Sequence, residues 1–148
     1  MTTTSLRVVG RRAFMKSVST THVWLYRATG GRIGGRLVGM PVVLLTTTGR
    51  KSGKRRVAPL LYLEEGAAVV VVGSNGGYRR APAWWLNLEA DPNAVVQIGR
   101  ERRPVVARKA DAAEREQLWA AFVTAHAGYA AYAAKTDREI PVVVLDPR

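Results

Sequence analysis

The apolar pattern changes character near residue 40. Before it, Phe14, Val18 and Leu25 recur at helical spacing between Arg11 and Ala28, with Arg11, Arg12, Lys16 and Arg27 elsewhere on the wheel. That spacing predicts a basic amphipathic helix. Residues 1–10 read as a loose tail. The stretch "TGGRIGGRLVG" (29–39) places five glycines in eleven positions and reads as a flexible connector. After it the apolar residues come in short β-rich runs. "PVVLLTTT" (41–48) and "RRVAPLLYLE" (55–64) predict two strands, and "EEG" turns the chain into "AAVVVVG" (67–73), a strand apolar on both faces. "AWWLNLEA" (83–90) predicts a short helix stopped by "DPN". "AVVQIG" (94–99) and "RPVVARKA" (103–110) predict a hairpin through "RER". "DAAEREQLWAAFVTAHA" (111–127) offers an Asp N-cap and apolar Leu118, Ala121, Phe122 and Ala125, a second helix. A short helix around Tyr129–Ala134 and a last strand, "IPVVVL" (140–145), complete the series.

Strands joined mostly by hairpins, with one helix inserted late and one or two before the last strand, imply a mainly β, α+β fold. The expected form is a small barrel with helical covers. A doubly wound sheet would need strands alternating with long helices, and these do not alternate. At 148 residues the chain is one domain, or one domain with a short arm.

Charge changes the picture more than composition does. Residues 1–63 carry twelve Lys or Arg and no acid, Glu64 being the first carboxylate, while residues 64–148 carry eleven of each sign. The net charge of +12 is therefore polarised, and the expected partner is anionic: nucleic acid, a membrane surface or a phosphorylated ligand. With no cysteine the chain has neither disulfides nor thiolate chemistry, which fits a reducing, cytoplasmic setting. No metal site is expected, because only His22 and His126 are present and no acidic cluster has ligand spacing. "GRRAFMK" (10–16) resembles a twin-arginine export signal, but Ser, Thr, His and Arg interrupt the apolar stretch such a signal needs, and export is not expected. The same basic helix can lie peripherally on an anionic leaflet, or pack on the barrel with its basic face solvated.

Two loops concentrate the candidate chemistry. "GRKSGKRR" (49–56) packs five cations into eight positions. It is not a Walker loop, because three residues rather than four separate Gly49 from Gly53. A nucleic-acid patch is disfavoured because no aromatic side chain sits among the cations to stack on bases. Two readings stay open: a solvated hairpin tip, and an anion cradle in which Gly49 and Gly53 let backbone N–H groups turn inward while Ser52 and the arginine forks add donors. "GSNGGYRRAPAWWLNL" (73–88) places a second glycine-rich turn directly after the most apolar strand, then two tryptophans and Asn87, one helical turn beyond Trp84. Little side-chain bulk at 73–77 suits a flat ring lying on the backbone. Taken together, the loops suggest a site for a planar, anionic cofactor.

"LLTTTGRKSGKRRVAPLLYL", "VVVGSNGG", "PAWWLNLEADPNAVVQIG" and "YAAYAAKTDREIPVVVL" resemble, in order and spacing, the deazaflavin (F420)-dependent nitroreductase family. The resemblance spans roughly residues 25–146. It implies a six-stranded antiparallel split β-barrel of the flavin and deazaflavin oxidoreductase superfamily, with an N-terminal helix and two to three covering helices. Residues 1–40 would be the arm, helix and connector, and residues 41–148 the deazaflavin-binding barrel. It implies coenzyme F420, an 8-hydroxy-5-deazaflavin with an anionic phosphate, lactyl and polyglutamate tail, and hydride transfer to a quinone, activated alkene or nitro compound. Residue by residue, it implies that Arg50, Lys51, Ser52, Gly53, Lys54 and Arg56 line the phosphate and tail end. Val72, Gly73, Ser74, Asn75 and Gly76 would lie along the ring, with Trp84 and Asn87 closing the pocket. Tyr129 and Tyr132 would cover the substrate side, and Ser74 or Tyr129 would bond the acceptor oxygen or deliver a proton. Departures from the pattern are His126 at the first of the aromatic positions, Leu61 where a tyrosine is common, and Asn75 where a lysine is common. The alternatives are a non-catalytic binder of F420, FMN or a lipid-like ligand and, on charge alone, a nucleic-acid module.

Overall fold

The computed structural model describes residues 19–74 and 80–148. Within them a helix, α1 (19–29), precedes β1 (Arg36–Leu37), β2 (Met40–Thr48), β3 (Arg55–Leu61), β4 (Leu63–Glu65) and β5 (Ala68–Val72). Then come α2 (Ala83–Ala90), β6 (Asn93–Ile98), β7 (Glu101–Lys109), α3 (Ala112–Ala125), α4 (Gly128–Ala134) and β8 (Val142–Pro147). Residues 11–18 of the expected N-terminal helix lie outside the described residues.

Every strand pairing is antiparallel. From β3 the ladder runs through β2, β6, β7, β8 and β5 to β4. β3 and β4 are consecutive in the chain, separated only by Tyr62, so the two ends of the ladder are joined covalently rather than by a row of hydrogen bonds. The result is a curled, split barrel. Among the described residues the sheet has eight strands, not the expected six. One extra strand arises because the run 55–64 bends at Tyr62, whose N–H reaches back to Pro41 O at 3.2 Å while its ring enters the barrel core. The other is β1, which pairs Arg36 with Pro41 and Leu37 with Met40. The connector 29–39 is thus an ordered turn system rather than a flexible link: the Thr29 hydroxyl accepts from Ile33 N–H at 2.9 Å, and Val42 N–H reaches Gly35 O at 2.9 Å.

The strands are apolar on both faces because both faces are covered. Inside the barrel, Val43 and Leu45 of β2, Val69 and Val71 of β5, and Val143 and Leu145 of β8 pack with Tyr62, Trp84 and Val96. On the outer face of β5 and β8, Val70, Val72, Val142 and Val144 pack beneath Leu118 and Phe122 of α3 and Tyr129 of α4. α1 lays Tyr26 over the outer face of β2, against Val42 and Leu44. α3 starts at a full capping box between Asp111 and Glu114, as its N-cap residue anticipates.

Candidate functional site

A cavity of about 750 Å3 opens between the end of β2, the inner side of β3, the start of α2 and the tyrosines of α4. β2 presents alternate residues inward, so Thr47 follows Val43 and Leu45 into the interior and is only 2% exposed. There it meets Asn87, which α2 buries to 3% exposure. The Asn87 amide donates to Thr47 Oγ1 at 3.1 Å, and its Oδ1 accepts from the Arg50 backbone N–H at 3.1 Å and from Arg50 Nη1 at 3.4 Å. One side chain thereby ties the strand end, the cationic loop and α2 together.

The loop itself is tight. Gly49 N–H donates to Lys54 O at 2.7 Å, Gly53 N–H to Gly49 O at 2.8 Å, and Lys54 N–H to Ser52 Oγ at 3.2 Å. Gly53 adopts φ +69, the left-handed region that favours glycine. The N–H groups of Gly49 and Gly53 are therefore spent inside the turn. What the loop gives the cavity is side-chain charge. Arg50, Lys51 and Arg56 line it together with Ser52, while Lys54 is exposed and does not line it.

At the end of β5, Val72 and Ser74 line the cavity, and Ser74 is buried. Gly73 does not line it. A Cβ on Gly73 would stand 2.8 Å from Pro141 Cγ, so that glycine serves close packing. Asn75 and Gly76 lie outside the described residues. Trp84 lines the cavity and packs in the barrel core, whereas Trp85 is half-buried at the edge of that core.

The opposite wall is aromatic. Tyr129 packs edge-on against Phe122 at 5.2 Å and Tyr132 at 5.7 Å between centroids, with His126 at 5.7 Å and Trp119 at 6.3 Å. Burial pushes the Tyr129 phenol well above its ordinary pKa, with Tyr132 as a lesser cause. Phenol and phenolate differ here by desolvation, so the neutral form is kept. His126 caps the C-terminus of α3 through its backbone N–H to Phe122 O at 2.9 Å. Among the described residues no group of three or more His, Cys, Asp or Glu could hold a metal.

Sequence reasoning did not single out Thr47, the β3 wall from Val57 to Leu60, Ser19 or Arg138. Thr47 had a signal, a polar residue in the inward register of an otherwise apolar strand. Arg138 had none. Its Nη2 donates to Gly73 O at 2.9 Å and Ser74 O at 2.8 Å, across more than sixty residues, and partial burial lowers its pKa from the ordinary arginine value.

A split barrel with a cavity that runs from clustered cations past a small-residue strand end to an aromatic wall is built for an elongated ligand, anionic at one end and flat at the other. The chain belongs to the F420H(2)-dependent quinone reductase family, whose model matches residues 18–147. It is 39% identical over 131 residues to the F420H(2)-dependent quinone reductase Rv1261c of Mycobacterium tuberculosis, covering 86% of this chain and 88% of that one. Among solved structures, an F420-H2 dependent reductase, FDR-A, superposes with a TM-score of 0.66 at 44% identity, over 72% of this chain and 94% of that chain. A domain-swapped dimer superposes with a TM-score of 0.68 at 36% identity, over 92% and 99%. The deazaflavin resemblance and the split-barrel fold expected from the four sequence blocks are both borne out.

Proposed function

We propose that this protein is an F420H2-dependent reductase that passes a hydride to an electron-poor small molecule, with quinones favoured over activated alkenes and nitro compounds. The observation that carries the reading is the cavity that joins the cationic loop, the Ser74 strand end and the tyrosine wall, in a chain of this family. The donor set fits the coenzyme: three cations and a hydroxyl for phosphate and carboxylates, and unbulky backbone for a planar ring. When bound, the reduced deazaflavin supplies the hydride that, with one proton, converts a quinone to its hydroquinone.

The protein's own part is positioning. Arg50, Lys51 and Arg56, with the Ser52 hydroxyl, hold the phosphate and tail through charge-assisted bonds. Lys54 and Gly53 contribute field and turn geometry rather than lining. Val72 and Ser74 support the flat portion, and Gly73 holds that strand end by packing closely against Pro141. Trp84 walls it, and Asn87 holds the loop rather than the ligand. Tyr129 and Tyr132 would exclude water and orient the acceptor, and the Ser74 or Tyr129 hydroxyl would bond its oxygen or deliver the proton. The acid-free, basic first 63 residues also support peripheral contact of residues 1–28 with an anionic membrane on the cytoplasmic side. In that case vesicle co-sedimentation is lost at high salt or on removing those residues.

Titration of the protein into F420, followed by fluorescence, and then addition of menadione to the reduced complex, tests the reading. Binding with acceptor-dependent oxidation is expected. Binding without oxidation would make the protein a carrier, and a preference for FMN would replace the coenzyme. Neutralising Arg50, Lys51 and Arg56 together is expected to weaken F420 binding by about tenfold or more. An unchanged dissociation constant would overturn the assignment of the loop. Full turnover in both Ser74→Ala and Tyr129→Phe would exclude the two proton roles.

A further inference from the structure

Arg138 stands between α4 and β8 and does not line the cavity, yet its Nη2 grips two successive carbonyls, Gly73 O at 2.9 Å and Ser74 O at 2.8 Å. The same segment holds the strand end at two more points. Gly73 N–H donates to Pro141 O at 2.9 Å, and the Pro141 ring fills the space beside Gly73 Cα. Both polar groups of Gly73 are thus fixed by residues that follow the tyrosine helix.

A trans peptide holds its C=O and N–H on opposite sides, and the described chain has no cis bonds. An arginine that fastens the Gly73 carbonyl therefore turns the Ser74 N–H away from itself. Ser74 lines the cavity and Arg138 does not. A cationic donor at the carbonyl oxygen also polarises the amide and strengthens its N–H as a donor.

We infer that Arg138 is a positioning residue: by holding the Gly73 and Ser74 carbonyls from outside the cavity, it aims the Ser74 donors at the polar edge of the bound tricyclic ring and keeps that strand end in register with the tyrosines of α4. The inference rests on the reading of the cavity as a deazaflavin site.

Three full-length variants test it: Arg138→Met, Arg138→Lys and Arg115→Met. Arg115 fastens the same segment, donating from Nη2 to Ile140 O at 3.0 Å, but touches neither loop carbonyl. Thermal stability and the dissociation constant for F420 are measured for each. If the wild-type chain does not bind F420, the deazaflavin reading falls and this one with it. Given wild-type binding, Arg138→Met is expected to raise the dissociation constant by about tenfold. Arg138→Lys should raise it by less than about threefold, because one nitrogen makes both bonds and an ammonium carries donors enough to replace it. Arg115→Met should stay within about twofold even where its melting temperature falls as far. Unaltered affinity in Arg138→Met, or equal loss in Arg138→Met and Arg115→Met at matched stability, overturns the inference. If Arg138→Met does not fold, Arg138→Gln is read against the same thresholds.

Discussion

Asn87 joins three parts of the chain through one amide, and its chemistry can be split by substitution. In Asn87→Asp the carboxylate still accepts from the Arg50 N–H and guanidinium, and the Thr47 hydroxyl can donate instead of accept. Packing should survive, but a negative charge then sits buried beside the proposed anion site. The expected result is a melting temperature within a few degrees of wild type and an F420 dissociation constant raised about tenfold, read by thermal denaturation and fluorescence titration. Tyr129 makes a pH prediction. Burial favours the neutral phenol, so the folded chain holds this proton more tightly than the unfolded chain does. The contribution to stability is intact below the ordinary tyrosine pKa of about 10 and is lost as pH rises above it. Melting curves between about pH 8 and pH 11 should therefore show a decline that is smaller in Tyr129→Phe. The tyrosines fall on a helix whose short sequence announces them, whereas the burial that keeps Tyr129 neutral depends in part on Val70 and Val72 of β5, far away in the chain.

Two elements hold α1 and its connector to the barrel. The Tyr26 hydroxyl accepts from Gly99 N–H at 2.7 Å and donates to Gln97 O at 3.3 Å, pinning the helix to the β6–β7 turn. Tyr26→Phe leaves that N–H without its partner and should cost about 1–3 kcal/mol, measured by denaturant unfolding. The turn between β1 and β2 contains the strained residue. Val38 has φ 48 and Gly39 φ 78, a pair suited to Asn-Gly, and a β-branched side chain is a poor occupant of that region. Val38→Asn should stabilise the protein by roughly 1 kcal/mol, seen as a higher melting temperature. The glycines of 29–39 could be read as punctuation but not as order. Their turn geometry becomes specific only when β1 meets β2 and His22 Nε2 meets Gly34 O at 2.6 Å.

At the scale of the whole molecule, the uneven charge is a binding device with a measurable signature. The cations that line the cavity come from the first 63 residues, which carry no acid, so attraction for an anionic ligand is weakly opposed and should be screened by salt. Affinity of the wild-type protein for F420 is expected to fall as ionic strength rises, and the Arg50/Lys51/Arg56 triple variant should show a flatter salt dependence. Equal slopes would show that the loop charges do not meet the ligand.

What the amino-acid sequence determined by itself was whatever depends on neighbours in the chain: strand and helix positions, the Asp111 cap, the cationic loop and the glycine turn, because periodicity, capping and φ preferences act over a few residues. It also carried the family, through four ordered blocks. The tertiary structure alone decided what depends on distant contacts. It bent the 55–64 run at Tyr62 into two strands that close the barrel, made Asn87 a clasp between β2, the cationic loop and α2, and brought Arg138 to the Gly73 and Ser74 carbonyls. Those outcomes rest on hydrogen bonds and packing between segments some tens of residues apart, and no local pattern encodes which partner a buried polar group will find.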